Sequence, residues 1–372
     1  MTEDDEGFLY PKVDAVACTN CGMCEQVCPE LCSDDERTPV QVYAAKNRNE
    51  EIRMASSSGG IFTLLAEKII DCGGVVFGAR FDANWDVVHD YAETREGLSA
   101  FRGSKYVQSR VEGCYQKAKS FLQQGRKVMF TGTPCQIAGL KNFLRKDYDN
   151  LLTVDVVCHG VPSPKVWQIY LTEIAREDGK NSVLSHHIAK KTEIESIDFR
   201  SKSTGWKKYS FALTLSEETA DGEKNTVLLS NSFYRNPYMN AFLLDLSLRL
   251  SCYNCPAKGG KSGSDLTIAD FWGINEVLPD FDDDKGISLV LVYSEKGQYW
   301  LNGLNFEYET TDFQSGQKKN RAILYSCRKP VNRSFFFRQL KQNGSVIQAY
   351  DDCSSTALNK RVRRFIYRKL GI

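Results

Sequence analysis

The stretch 128–164, VMFTGTPCQIAGLKNFLRKDYDNLLTVDVVCHGVPSP, decides the fold. Val128, Met129 and Phe130 read as a buried strand running into the turn Thr131-Gly132-Thr133-Pro134. Proline is well tolerated at the first position of a helix, where its missing N–H has no partner to lose. Ile137, Leu140, Phe143 and Leu144 then recur at helical spacing. A second apolar run, Leu151 to Val157, ends in Cys158-His159-Gly160 and another Pro-rich turn. Two strand ends thus each deliver a cysteine, Cys135 and Cys158, to a loop, with one short helix between them. In open α/β sheets ligands bind outside the carboxyl ends of the strands. The expectation is an α/β fold, a mixed central sheet covered by helices.

The 372 residues are enough for two domains and an appendage. A hydrophobic fraction of 42% with 26% charged residues is that of a globular protein. The net charge of +1 argues against nucleic-acid binding, which calls for strongly basic domains. No run of 18 apolar residues announces a membrane span. The acidic opening MTEDDEG is unlike a secretory signal, so a cytoplasmic location is expected. In a reducing compartment, 13 cysteines point to metal or redox chemistry rather than to disulfides.

Cys18-x-x-Cys21-x-x-Cys24-x-x-x-Cys28-Pro29 has the spacing of a bacterial ferredoxin run. Zinc sites use two separated CxxC pairs, so the third closely spaced cysteine favours a 4Fe-4S cluster over zinc or bare thiols. In two-cluster ferredoxins the fourth cysteine of each run ligates the other cluster. The half that would precede this run is absent, so either Met1 is not the natural start or one half has been kept. A cluster held alone needs Cys28 to turn back to it, or Cys32 in its place. Residues 36–55 are polar and without clear period, and read as a linker.

Ser56 to Gly60, SSSGG, opens a helix over Ile61 to Asp71 whose Ile61, Leu64, Leu65, Lys68 and Ile69 form one stripe. Such a turn is either an ordinary cap or an anion site. RGSKYVQS at 102–109 is a polar turn, either a solvated loop or a place where Lys105 meets a phosphate and Tyr106 stacks on a ring. There is neither a GxGxxG nor a GxxxxGK[ST], so no standard dinucleotide fold or P-loop is signalled.

From 183 to 233 short alternating runs broken by Gly205 and Asp221-Gly222 predict a small antiparallel insertion. His186 and His187 are adjacent, so on a strand they face opposite sides and make a poor metal pair. Asn236 to Leu250 reads as a helix leading into Cys252-Tyr253-Asn254-Cys255-Pro256. A lone CxxC is ambiguous among zinc, thiol redox chemistry and cluster ligation. For a cluster it needs two further thiolates, and the strand-end Cys135 and Cys158 are the candidates. Cys72, Cys114, Cys327 and Cys353 read as small buried apolar residues. The tail NKRVRRFIYRKLGI is basic and amphipathic, suited to packing on its own domain, to a partner, or to an anionic membrane surface.

TGTPCQIAGL and VDVVCHGVPSP, with SSSGGIF at 56–62, RGSKYVQS and LSCYNCPAKGGKSGSDLTIADFWG at 250–273, resemble the coenzyme F-420 hydrogenase/dehydrogenase beta-subunit family. With the ferredoxin-like start, the resemblance covers roughly residues 7–275. It implies a bound FAD and one or two 4Fe-4S clusters. It places the flavin at Ser57, Ser58, Gly59 and Gly60, at Gly103, Ser104, Lys105 and Tyr106, and at Thr131, Gly132 and Thr133. It favours cluster ligation by Cys135, Cys158, Cys252 and Cys255 beside the N-terminal Cys18, Cys21, Cys24 and Cys28. The expected organisation is a ferredoxin-like module at 1–35, a linker at 36–55, a flavin-binding domain at 56–300 and a C-terminal region at 301–372. The implied function is electron transfer between ferredoxin or another redox protein and an unidentified small-molecule or glycan-linked acceptor. The alternative is a non-catalytic electron-transfer subunit of a larger complex. No catalytic acid is assigned; His159 is the nearest suggestion.

Overall fold

The computed structural model describes residues 1–31, 34–175, 192–218 and 224–354. Its strands are β1 (Thr2–Glu3), β2 (Leu9–Tyr10), β3 (Gln41–Asn47), β4 (Val75–Phe81), β5 (Val87–Ala92), β6 (Val128–Gly132) and β7 (Leu151–Val156). They continue as β8 (Thr192–Ser201), β9 (Ser210–Glu218), β10 (Lys224–Ser232), β11 (Leu266–Asp270), β12 (Ser288–Val292) and β13 (Phe306–Thr310). Eight of them form the central sheet in the order β13-β3-β12-β11-β7-β6-β4-β5. β11, β7, β6 and β4 run parallel, and β12 and β5 are antiparallel to their neighbours. The mixed sheet matches the expected fold class.

Alternation along the strands divides the core. In β4 and β6, Val75, Phe77, Val128 and Phe130 face the helices Cys114–Gln123 and Pro134–Leu144. Val76 and Met129 face the opposite side, against Leu65 and Ile69 of the helix Ile61–Asp71. β8, β9 and β10 make the expected antiparallel insertion, in the order β10-β9-β8. It packs with the helices Pro164–Ala175 and Pro237–Leu243 and with the C-terminal Arg333–Asn343 and Val346–Ser354. No helix of the described residues is long and apolar enough to cross a membrane. His186, His187, Cys32 and the basic tail lie outside the described residues.

Three expectations are corrected. Cys72, expected to be buried, is exposed, because it follows the last turn of the helix Ile61–Asp71. The stretch 36–55 is not simply a linker: β3 lies inside the sheet, antiparallel to both β12 and β13, and Glu50–Met54 is helical with Asn49 as its cap. Asn236–Leu250 does not form one helix. The helix ends at Leu243, and Asp245 takes φ +62°, which turns the chain so that Leu248 can pair with Pro162.

Candidate functional site

The carboxyl ends of β3, β11, β7, β6 and β4 share one edge of the sheet, because β12 lies antiparallel between β3 and β11. The turn at 131–134 follows β6 and the turn at 158–162 follows β7 at this edge, and Gly59 of the SSSGG turn meets Ser288 there. Cys135 sits in the first turn of the helix Pro134–Leu144, under a capping box in which Thr133 and Gln136 bond each other's backbone. Its Sγ lies 3.2 Å from Thr133 Oγ1. Cys158 follows β7. Pairing of Pro162 with Leu248, reinforced by Ser163 N–H to Ser247 O (2.9 Å) and Arg249 N–H to Val161 O (3.0 Å), lays the Cys158 loop beside the CxxC turn. The approach is close: a Cβ on Gly160 would stand 2.7 Å from Leu248 Cδ1 and 3.4 Å from Cys252 Cβ.

The result is a converging group of half-buried thiols. Burial pushes the Cys135 thiol up to about 12, with Cys255 adding to the effect. Cys158 rises further, again through burial, with Cys135, Cys252 and Cys255 among its neighbours. Cys252 and Cys255 are raised by burial as well. Backbone N–H of Val161 donates to Cys252 Sγ at 3.4 Å, and Cys255 N–H donates to Ser326 Oγ at 2.9 Å. Thiols raised in this way hold their protons unless a cation takes their place, which is the condition cluster iron supplies. Four thiols drawn to one place are the donor set that a cubane takes, one thiolate to each iron, and to that extent the residues fit a cluster.

The N-terminal run is exposed at Cys18, Cys21 and Cys24 and half-buried at Cys28. Asn20 (φ +54°) and Gly22 (φ +69°) curl the loop, so that Asn20 N–H reaches Cys18 Sγ at 3.4 Å. The Cys21 thiol is lowered, first by the backbone N–H of Met23 and then by Thr19.

The flavin candidates also meet. Ser104 N–H donates to Ser57 Oγ at 2.6 Å, joining the SSSGG and RGSKYVQS turns. Gly59 N–H donates to Ser288 Oγ at 3.0 Å. A Cβ at Gly59 would overlap Ala45 O and stand 2.7 Å from Ser288 N, so the turn passes where only glycine fits. Gly60, φ +81°, opens the 11-residue helix Ile61–Asp71 without a side-chain cap. Its first N–H groups therefore have no side-chain acceptor. Arg102 reaches this first turn, its Nε donating to Thr63 Oγ1 at 3.2 Å. Burial lowers the Lys105 ammonium to about 8, while it donates to Arg102 O and Gly103 O. These features fit an anionic phosphate group.

Tyr106 stacks on Phe242 at 4.6 Å, and its hydroxyl accepts from Arg200 at 3.2 Å. Thr131, Gly132 and Thr133 differ from the other two turns. Thr131 Oγ1 is bonded to Phe77 O and Thr133 N–H to Gln136, so their donors are already used. That turn reaches the others through Gln136 Nε2 to Ser109 Oγ, 2.8 Å. Missed residues include Arg200, paired to Asp270 at 2.7 Å, and Lys202, whose Nζ donates to Arg53 O, Ser58 O and Lys285 O, each at 2.7 Å. His159 Nε2 is 2.5 Å from Asp245 Oδ1. A cleft of about 410 Å³ opens at the other edge, lined by Lys141, Tyr148, Asp265 and Lys296, and none of these candidates lines it.

Fold and site define an α/β protein that gathers four thiols and a Ser/Gly helix start on one strand edge. The sequence matches the family described as coenzyme F420 hydrogenase/dehydrogenase, beta subunit, with its N-terminal part over residues 42–114 and its C-terminal part over 125–314. The chain belongs to that family. It is 25% identical over 189 residues to a coenzyme F420-dependent sulfite reductase of Methanocaldococcus jannaschii, covering 48% of this chain and 30% of that protein. The chain thus spans under a third of that relative's length. A chain of the F420-reducing [NiFe] hydrogenase complex of Methanosarcina barkeri, solved with xenon, aligns with a TM-score of 0.46 at 18% identity, over 86% of this chain and 92% of that one.

Proposed function

We propose that the protein is an iron–sulfur flavoprotein that carries electrons from a ferredoxin-type donor to an acceptor. The observation that carries this reading is the convergence of Cys135, Cys158, Cys252 and Cys255 at the strand edge that also bears the uncapped Ser/Gly helix start. Cys18, Cys21, Cys24 and Cys28 would hold one 4Fe-4S cluster at the surface, and the four half-buried thiols a second. Ser57 to Gly60 and Gly103 to Tyr106 would hold FAD by its phosphates. A cluster passes single electrons and a flavin turns them into a hydride equivalent, so the pair together supplies what neither does alone. The chain's own part is to position these groups and exclude water: the Pro162–Leu248 pairing fixes two thiol loops, and the Ser104–Ser57 bond fixes the phosphate turns.

A second reading is favoured by the family's description as a beta subunit: the chain relays electrons to a partner that holds the active site. A glycan-linked acceptor is the version of the first reading in which the chain acts alone. Anaerobic purification tests the common core. We expect brown protein with about 4–8 iron atoms per chain, and FAD released on heating. Stoichiometric zinc without iron, or no flavin after reconstitution, would refute it. Oxidation of reduced ferredoxin by the isolated chain with a small acceptor separates the stand-alone enzyme from the subunit.

A further inference from the structure

We infer that Lys258 is the residue that sets the reduction potential of the buried cysteine group, by holding an ammonium against it. The inference rests on the reading that Cys135, Cys158, Cys252 and Cys255 share a cluster. Lys258 is only 8% exposed. Its Nζ donates to Cys158 O, and to Ala322 O at 2.8 Å, which points the charge at the Cys158 loop. Both of these partners are neutral carbonyl oxygens. The carbonyl it holds belongs to Cys158 itself, and Lys258 stands three residues past Cys255, so its charge is anchored within the thiol group.

A buried ammonium without a counter-charge is costly. Four thiolates around a cubane supply that counter-charge: the assembly carries a net charge of about −2 when oxidised and −3 after one electron. Reduction adds one electron and breaks no bond, so the effect of Lys258 is electrostatic. Its positive charge stabilises the more negative, reduced state by more than the oxidised one. Lys258 therefore raises the potential and lets this group accept electrons from the surface cluster. Charge and burial near a cluster are recognised levers on its potential.

The test is a dithionite titration of full-length protein followed by electron paramagnetic resonance, with iron content measured alongside. Lys258→Gln keeps donors for the two carbonyls and removes the charge. Iron content should stay at the wild-type value while the reduction equilibrium of one cluster falls by about tenfold or more, about 59 mV for a one-electron couple. Lys258→Arg should titrate like wild type. An unshifted midpoint in Lys258→Gln overturns the inference. Loss of iron in both Lys258→Gln and Lys258→Arg also overturns it, because the tether and not the charge would then be what matters. The underlying reading fails separately, if Cys158→Ser and Cys255→Ser leave iron content and both resonance signals unchanged.

Discussion

Replacing Glu6 by alanine should destabilise the whole protein, although Glu6 lies in the segment expected from sequence to be an appendage. Arg333 Nη1 and Nη2 donate to Glu6 Oε1 and Oε2 at 2.7 and 2.5 Å. The Arg333 side chain is 2% exposed and that of Glu6 23%. The same guanidinium bonds Leu248 O at 2.7 Å and lies 4.6 Å over the Phe337 ring. Breaking a buried pair by removing one partner typically costs about 3–5 kcal/mol. Water can reach the Glu6 side, so the low end applies, about 3 kcal/mol. At about 2 °C per kcal/mol for a chain of this size, the melting temperature should fall by about 6 °C. Differential scanning calorimetry measures this, and a cycle with Arg333→Met should show coupling of about 2 kcal/mol. A Glu6→Ala protein that melts within about 1 °C of wild type, with additive effects in the cycle, would refute the reasoning. Deleting residues 1–33 should cost more, since it takes the carboxylate from Arg333 and also removes the fully buried Phe8.

Cys158→Ser and Cys255→Ser should each lower iron content and melting temperature, while Cys72→Ser at an exposed position should change neither; colorimetric iron assay and calorimetry decide. Gly59→Ala should cut the FAD recovered after heating and cost about 1–3 kcal/mol, because its Cβ would overlap Ala45 O and disturb the bond to Ser288 Oγ. His89 is lowered by burial from 6.5 to about 4. The unfolded chain therefore binds a proton there that the folded chain refuses. This contribution is fully present above pH 6.5 and is lost as the pH falls towards 4, by about 3 kcal/mol. His89→Gln should flatten that slope in urea unfolding series; an unchanged slope would count against it.

The strand-end cysteines were legible because an apolar run that stops at a turn is a local signal. β6, the helix Pro134–Leu144 and β7 follow from the sequence almost residue for residue. β3 was hidden: Gln41-Val42-Tyr43-Ala44-Ala45-Lys46-Asn47 has weak strand propensity, and it becomes a strand because β12 and β13 pair with both its edges. The end of the helix at Leu243 depends on Asp245 accepting φ +62°, which spacing cannot announce. Lys258, three residues past the CxxC, looks like one more lysine of a Gly/Lys loop until Cys158 O and Ala322 O are seen to hold it. The Glu6–Arg333 pair spans 327 positions, beyond any local pattern.

The clamps on the N-terminal segment bear on the order of electron flow. Before the cysteine run, Glu6 is bound to Arg333 and Arg249 donates to Leu9 O at 3.0 Å. After it, Arg37 donates to Gly260 O and Ser264 O at 2.9 and 2.8 Å, in the loop that follows the CxxC. Both ends are therefore fastened beside the elements that carry Cys252 and Cys255. A segment held only by its linker would sample many separations from the main domain, and transfer between two centres would wait on the productive ones. Fastening both ends removes that search. An electron entering at the exposed Cys18, Cys21 and Cys24 would then meet the buried thiol group first. The SSSGG and RGSKYVQS turns proposed for the flavin are joined to Cys135's helix through Thr133–Gln136–Ser109 and to each other by the Ser104–Ser57 bond. Loosening the Glu6 clamp should slow reduction of the flavin by ferredoxin more than reduction by dithionite, which has access without the surface run. Equal slowing by both donors would place the effect on the fold as a whole and not on the route.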